Sequence, residues 1–294
     1  MKTQQAHSPS VGAATAGRSY PPAVWLNLVC LDAPLVAVAW LWLFGRTFHI
    51  PLQLGNAVAL FLTAWLIYLG DRFADAVSLK PNLPLSLRQD FCLRHREIWI
   101  TTVALIAGFD AYVIWRTTAL ETFLVGVVVG VLALVYLVAN HPLGLIWRSL
   151  PAKELAIGTL FAGGTVVALL PRLPTTPAFA IAVLAFAALC SLNCISIASW
   201  ERELDRAQRK ISIATRHPSV ARQLRNLCLL LALAASAFAM ALRSAAPLFA
   251  CVGGSALLLS WLSTPPGSLG DDQRTALADL VLLTPFALLI VSAL

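Results

Sequence analysis

The feature that most limits what this chain can fold into is a series of nine mostly apolar stretches, near 24–44, 52–70, 98–116, 119–139, 153–170, 177–199, 224–243, 246–263 and 274–294. Each is close to the ~20 residues that a helix needs to cross the hydrocarbon core of a bilayer. The expected fold is all-α: a polytopic membrane protein built as a nine-transmembrane-helix bundle. Charged residues make up 12% of the chain and hydrophobic ones 59%, against about 25% and about 45–50% in soluble domains. That balance excludes a disordered chain and a soluble single-core enzyme. Residues 1–22 are polar, lack the apolar core of a signal peptide, and read as a disordered cytoplasmic tail. Residues 23–294 form one transmembrane domain.

Topology follows from the basic residues. With the N-terminus and the loops after even-numbered helices on one side, only Arg46, Arg116, Arg172 and Arg243 of the 21 Lys and Arg fall on the other. The expectation is an integral protein of the cytoplasmic (inner) membrane, N-terminus cytoplasmic and C-terminus outside. The formal charge of +7 then suits an anionic leaflet or an anionic substrate rather than nucleic acid. The six cysteines form no CxxC pair and read as small apolar residues. Gly126 and Gly130 form a GxxxG pair, which permits close helix packing.

The two longest cytoplasmic loops, 71–97 and 200–223, each open on carboxylates. The first reads Asp71-Arg72-Phe73-Ala74-Asp75. The second reads Glu201-Arg202-Glu203-Leu204-Asp205-Arg206. Both fit acid, Arg, two residues, Asp, so the chain repeats one pattern after helix 2 and helix 6. If each helix continues through its motif, Asp71 and Asp75 share a face, as do Glu201 and Asp205. Like charges at that spacing repel, and a divalent cation between them removes the penalty. Mg²⁺ takes oxygen ligands, typically one or two carboxylates with substrate phosphates. The plainer reading is a pair of interfacial helix ends laced with Arg–carboxylate pairs.

These motifs, at these two positions among nine spans, resemble the UbiA superfamily of intramembrane prenyltransferases. That family has two Asp-rich motifs after helices 2 and 6. Asp71 and Asp75 fall on the last two Asp of its first motif, with Ile67 and Tyr68 at the leading Asn and Asp. Glu201 to Arg206 falls on its second motif, with Ile197 at the upstream Asn and Asn193 one turn further back. The stretch from Trp147 to Gly158 is similar to the family's basic loop before helix 5. The resemblance implies Mg²⁺-dependent transfer of a prenyl group from an isoprenyl diphosphate to a lipophilic acceptor, aromatic or lipid-like. It implies Asp71, Asp75, Glu201, Glu203 and Asp205 as Mg²⁺ ligands, with Asp71, Asp75, Glu201 and Asp205 carrying catalysis. Arg72, Arg148, Lys153 and Arg206 become candidates for the diphosphate oxygens.

Asp32 lies inside the first apolar stretch, where a carboxylate must face a cavity or a partner. Asn27, Asp32 and Asn193 are candidate acceptor-site residues, and Asp110 and Asp279 raise the same question. Two further readings share these residues. One is a non-catalytic UbiA-like relative that binds an isoprenoid or lipid. The other is a cation-coupled transporter, which predicts acidic groups at mid-membrane in broken helices.

Overall fold

The computed structural model of the chain describes residues 20–140, 153–172, 176–264 and 269–293. Among them all regular structure is helical. The elements are α1 (Pro22–Leu28), α2 (Asp32–Thr47), α3 (Leu54–Val77), α4 (Leu87–Arg94), α5 (Arg96–Thr117), α6 (Leu120–Asn140) and α7 (Lys153–Val166). After these come α8 (Pro177–Trp200), α9 (Arg202–Ala207), α10 (Ile213–Arg216), α11 (Pro218–Ala241), α12 (Ala246–Leu262), α13 (Asp271–Leu280) and α14 (Thr284–Ala293). The segment 1–19, most of the expected tail, lies outside the described residues.

Seven helical segments among the described residues are long and apolar enough to cross a membrane, as a membrane protein requires. The nine-span count is not reached, because two of the nine apolar stretches are broken. The first divides at Cys30 into α1 and α2, which meet at 93° and would make an eighth span if counted as one. Cys30 is left-handed at φ 57°. The Leu31 N–H donates to the Leu26 carbonyl at 2.9 Å and the Cys30 N–H to the Asn27 carbonyl at 3.2 Å. This is the bonding of a Schellman turn, built here without glycine. The ninth stretch divides into α13, a 3₁₀ turn at Val281–Leu283, and α14.

The loops are also more structured than expected. α3 runs on to Val77, α4 occupies the first long loop, and α9 and α10 occupy the second. α4 starts with a capping box. The Ser86 hydroxyl accepts from the Gln89 N–H at 3.2 Å and the Gln89 side chain accepts from the Ser86 N–H at 2.9 Å. Two otherwise unpaired donors are thereby satisfied.

The core lies where α2, α8 and α12 converge. Trp40 stacks on Phe186 with ring centroids 4.2 Å apart, and its indole donates to the Leu282 carbonyl at 2.8 Å. Phe44, Leu189, Leu248 and Phe249 fill the space around them. α7 and α8 approach closely at Gly158, where a Cβ would sit 2.3 Å from Ser191 Oγ. A second cluster joins α3 to α5, with Trp99 donating to the Leu69 carbonyl at 3.0 Å. All six cysteines are free thiols.

Candidate functional site

One face of α3 builds the site. Asn56, Leu60, Thr63, Ile67, Asp71 and Asp75 recur every three or four residues, the spacing of a single helical face, and all of them line one cavity of about 500 Å³. The stripe from Asn56 to Asp75 lies on unbroken helix, and its 19 residue-to-residue steps rise roughly 28 Å at ~1.5 Å each. That is nearly the thickness of a bilayer core. Opposite walls come from α6, α7 and the end of α8, through Val127, Leu160, Phe161 and Ile197 among others. Gly126 and Gly130 line this cavity too. A Cβ on Gly130 would meet nothing within 4 Å, so this glycine opens space, whereas a Cβ on Gly126 would touch Val167 at 3.7 Å.

The two ends of the cavity differ in chemistry. The mouth carries Asp71, Asp75, Glu154, Glu201 and Asp205 together with Arg72, Arg88, Lys153 and Lys210. The far end carries Asn56, Thr63, Thr118 and Thr122, with Asp110 behind Thr63 and accepting its hydroxyl at 2.7 Å. The two sequence motifs therefore do meet at one mouth. Lys153 and Arg72 join them there. Arg148 lies outside the described residues. Glu203 and Arg206 are not brought to the mouth: they pair with each other at 2.7 Å on the surface, with Glu203 81% exposed.

The second motif does not lie on a continuous helix as the i, i+4 argument assumed. α8 stops at Trp200, and Glu201 sits between α8 and α9 at φ −83°, ψ 7°. One hydrogen bond keeps the register, since the Asp205 N–H donates to the Glu201 carbonyl at 2.8 Å. Both carboxylates consequently still face the cavity. α9 then ends in another Schellman turn. Arg209 is left-handed at φ 58°, and the Lys210 N–H reaches back to the Asp205 carbonyl at 2.8 Å. This reversal delivers Lys210 to Asp75, where Nζ and Oδ1 lie 2.5 Å apart.

The mouth is held by residues from α4 that lie outside both sequence motifs. Arg88 forms an ion pair with Glu201. Gln89 donates to Asp75 at 2.8 Å and exchanges hydrogen bonds with Gln208. The signal was present as Ser86-Leu87-Arg88-Gln89, a capping box that fixes the start of α4 and aims both side chains at the mouth. Glu154 accepts from the Ile213 N–H at 3.0 Å through one oxygen, and its other oxygen is buried without a partner. Burial pushes the Asp205 carboxyl up to about 6, the Glu201 charge adding to the rise and the Ser212 hydroxyl, Lys210 and Lys153 opposing it.

The donor set suits Mg²⁺ only as an ion shared with a ligand's phosphates. Among the described residues no three His, Cys, Asp or Glu side chains cluster at metal-binding distance. Glu201 and Asp75 are already matched by Arg88 and Lys210. Asp71 and Asp75 from α3, with Glu201 and Asp205 from the α8–α9 junction, could offer one or two carboxylates to an ion, the number Mg²⁺ usually takes beside phosphate.

Asn27, Asp32 and Asn193 come together, but in a separate place. They form a buried polar cluster with Asp279, beside a small cavity that shares Tyr68 and Cys194 with the large one. No protein-family model, curated protein or solved structure matches the chain.

Proposed function

We propose that the chain is an intramembrane prenyltransferase of the UbiA kind, moving a prenyl group from an isoprenyl diphosphate to a lipophilic acceptor. The observation that carries this reading is the cavity: a long apolar slot with four carboxylates from two repeated motifs and four cations gathered at one end. An allylic diphosphate has the complementary shape, a flexible apolar tail on a compact, highly charged head. The apolar walls of α3, α6 and α7 take the tail and exclude water. Arg72, Arg88, Lys153 and Lys210 are the donors available to diphosphate oxygens as the C–O bond ionises, and charge-assisted contacts of this kind stabilise developing negative charge. Mg²⁺, held by Asp71, Asp75, Glu201 and Asp205, would withdraw electrons from the leaving diphosphate. In the proposed orientation the mouth faces the cytoplasm, where diphosphate esters are made.

The ion pairs Asp75–Lys210 and Glu201–Arg88 favour a second reading, a relative that binds an isoprenoid or lipid without turning it over. Carboxylates already neutralised by the protein have less to offer a cation. One experiment separates the two. Purified protein is incubated with radiolabelled prenyl diphosphates of several lengths and a panel of aromatic and lipid acceptors, with and without Mg²⁺. Mg²⁺-dependent transfer supports the enzyme, and saturable binding without product selects the binder. A periplasm-active reporter fused after Leu294 tests the orientation; activity of a cytoplasmic reporter at that point would overturn it.

A further inference from the structure

The cluster of Asn27, Asp32, Asn193 and Asp279 sits where both broken stretches meet. Asp32 opens α2 just after the Cys30 turn, and Asp279 lies at the end of α13 just before the 3₁₀ turn. All four side chains are at least 94% buried. One amide joins the two acids: Asn27 Nδ2 donates to Asp32 at 2.6 Å and to Asp279 at 3.3 Å. Asn193 Nδ2 donates to the other Asp279 oxygen at 2.7 Å, and the Ala33 N–H to the other Asp32 oxygen at 2.9 Å. The two carboxyl groups are themselves within hydrogen-bonding reach of each other. None of the ion pairs among the described residues involves either acid.

Two buried carboxylates this close cannot both carry charge without a bound cation between them. Every carboxylate oxygen here faces an N–H donor, an environment that suits a proton-bridged pair better than a metal ion needing a shell of oxygens. We infer that Asp32 and Asp279 form an intramembrane proton-binding site, holding one proton between them. A second observation points to its hydration. Asn193 Oδ1 is buried and has no partner, and a cavity of about 20 Å³ lies beside it, lined by Asn193, Asp279, Tyr68 and Cys194. That is room for one water. Tyr68 and Cys194 also line the large cavity, so the route for proton exchange runs past Tyr68.

Among the described residues, the charged and titratable groups around the pair are few. Arg72 and Tyr68 face it from α3, Cys190 and Cys194 from α8, and Cys30 from the α1–α2 turn. Arg72 is the one cation among them, and it also interacts with Asp71 and Glu201 at the mouth. With one shared proton, the pair's remaining negative charge is balanced by Arg72. The site stands whether or not the mouth transfers a prenyl group.

Infrared spectroscopy of the full-length protein labelled with ¹³C-aspartate tests it. The wild type should show a protonated aspartic carboxyl band at pH 7 that survives in Asp110→Asn and disappears in the Asp32→Asn/Asp279→Asn double variant. Tyr68→Phe should keep the band and slow its shift on transfer to D₂O. Absence of the band in the wild type overturns the proposal, and this outcome needs no variant to fold. So does a band abolished by Asp110→Asn alone. Thermal stabilisation of the wild type by Na⁺ over choline, lost in Asp279→Asn, would replace the proton with a metal cation.

Discussion

In the first half of the repeat, Asp71 and Asp75 lie on an unbroken helix that runs straight out of the apolar core. In the second half, Glu201 sits between two helices and Asp205 belongs to the next one. The same residue pattern is thus built once as a rigid rail and once as a hinge-like junction gripped from outside by Arg88. The rail sets where its carboxylates stand through an unbroken helix backbone, and Gln89 and Lys210 then meet Asp75 from outside. The junction depends on side chains from a distant loop. Substitutions in the first half should therefore register mainly in turnover, and those in the second half in stability as well.

The largest effect is expected on the rail. Asp71→Asn and Asp75→Asn each remove one charge at nearly constant volume. Prenyl transfer should fall by at least ~10²-fold, the scale of losing one electrostatic stabiliser. Stability should move by less than about 1 kcal/mol, since Asn keeps an acceptor for Gln89 and the long Lys210 side chain, about a quarter exposed, can turn its ammonium to water. Full activity in both variants, read by radiolabelled transfer, would break the assignment of this half.

At the junction, Glu201→Gln leaves Arg88 only 9% exposed and without its anionic partner. Its Nη1 already lacks a hydrogen bond. A destabilisation of about 2 kcal/mol is expected, the lower end for an ion left buried and unpaired. Thermal unfolding in detergent measures it. If Glu201→Gln unfolds like the wild type while Asp75→Asn does not, the contrast between the halves is reversed.

The two halves also differ in how much of them the sequence makes legible. The α3 stripe follows from spacing, because an uninterrupted helix preserves i, i+4 geometry. The junction at Glu201 carries neither Gly nor Pro, so nothing in the local chemistry marks the break. Cys30 and Arg209 hide their turns for the same reason: each takes a left-handed conformation that glycine usually signals. Asp32, Asn193 and Asp279 could be singled out one by one as costly polar groups in apolar stretches. Their assembly depends on how α1, α8 and α13 pack, and no short-range pattern encodes that. In the sequence Arg88 is one more positive charge in a loop, although the capping box beside it fixes where it points.

Asp205 offers a graded test of the junction. Its carboxyl titrates near 6, above the ordinary value of 3.8, because it is buried. Holding a cation requires the ionised form, so turnover should rise as pH increases through about 6, by at most ~10-fold per pH unit below it. The stability term has the opposite sign. A raised carboxyl pKa favours the folded state most below 3.8, and that contribution fades as pH climbs past about 6. Activity and stability should therefore diverge between pH 4 and 6. Asp205→Asn should flatten both dependences, and an unchanged activity limb in this variant assigns the titration to another group.

The smallest effect is expected within the second motif itself. Glu203 and Arg206 lie in the second motif beside Asp205, yet they pair with each other on the outside of α9. Glu203 is 81% exposed and Arg206 45%. Exposed pairs three residues apart contribute a few tenths of a kcal/mol at most, and neither side chain reaches the cavity. Glu203→Ala and Arg206→Gln should leave thermal stability within about 0.5 kcal/mol and prenyl-diphosphate affinity within ~2-fold, well inside one factor of ten per ~1.4 kcal/mol. The comparison then sharpens to single residues: of the second motif, the chemistry would rest on the two carboxylates that the broken helix still turns inward. A tenfold loss of transfer in Glu203→Ala would mean instead that α9 rotates on ligand binding, carrying its outer face into the mouth.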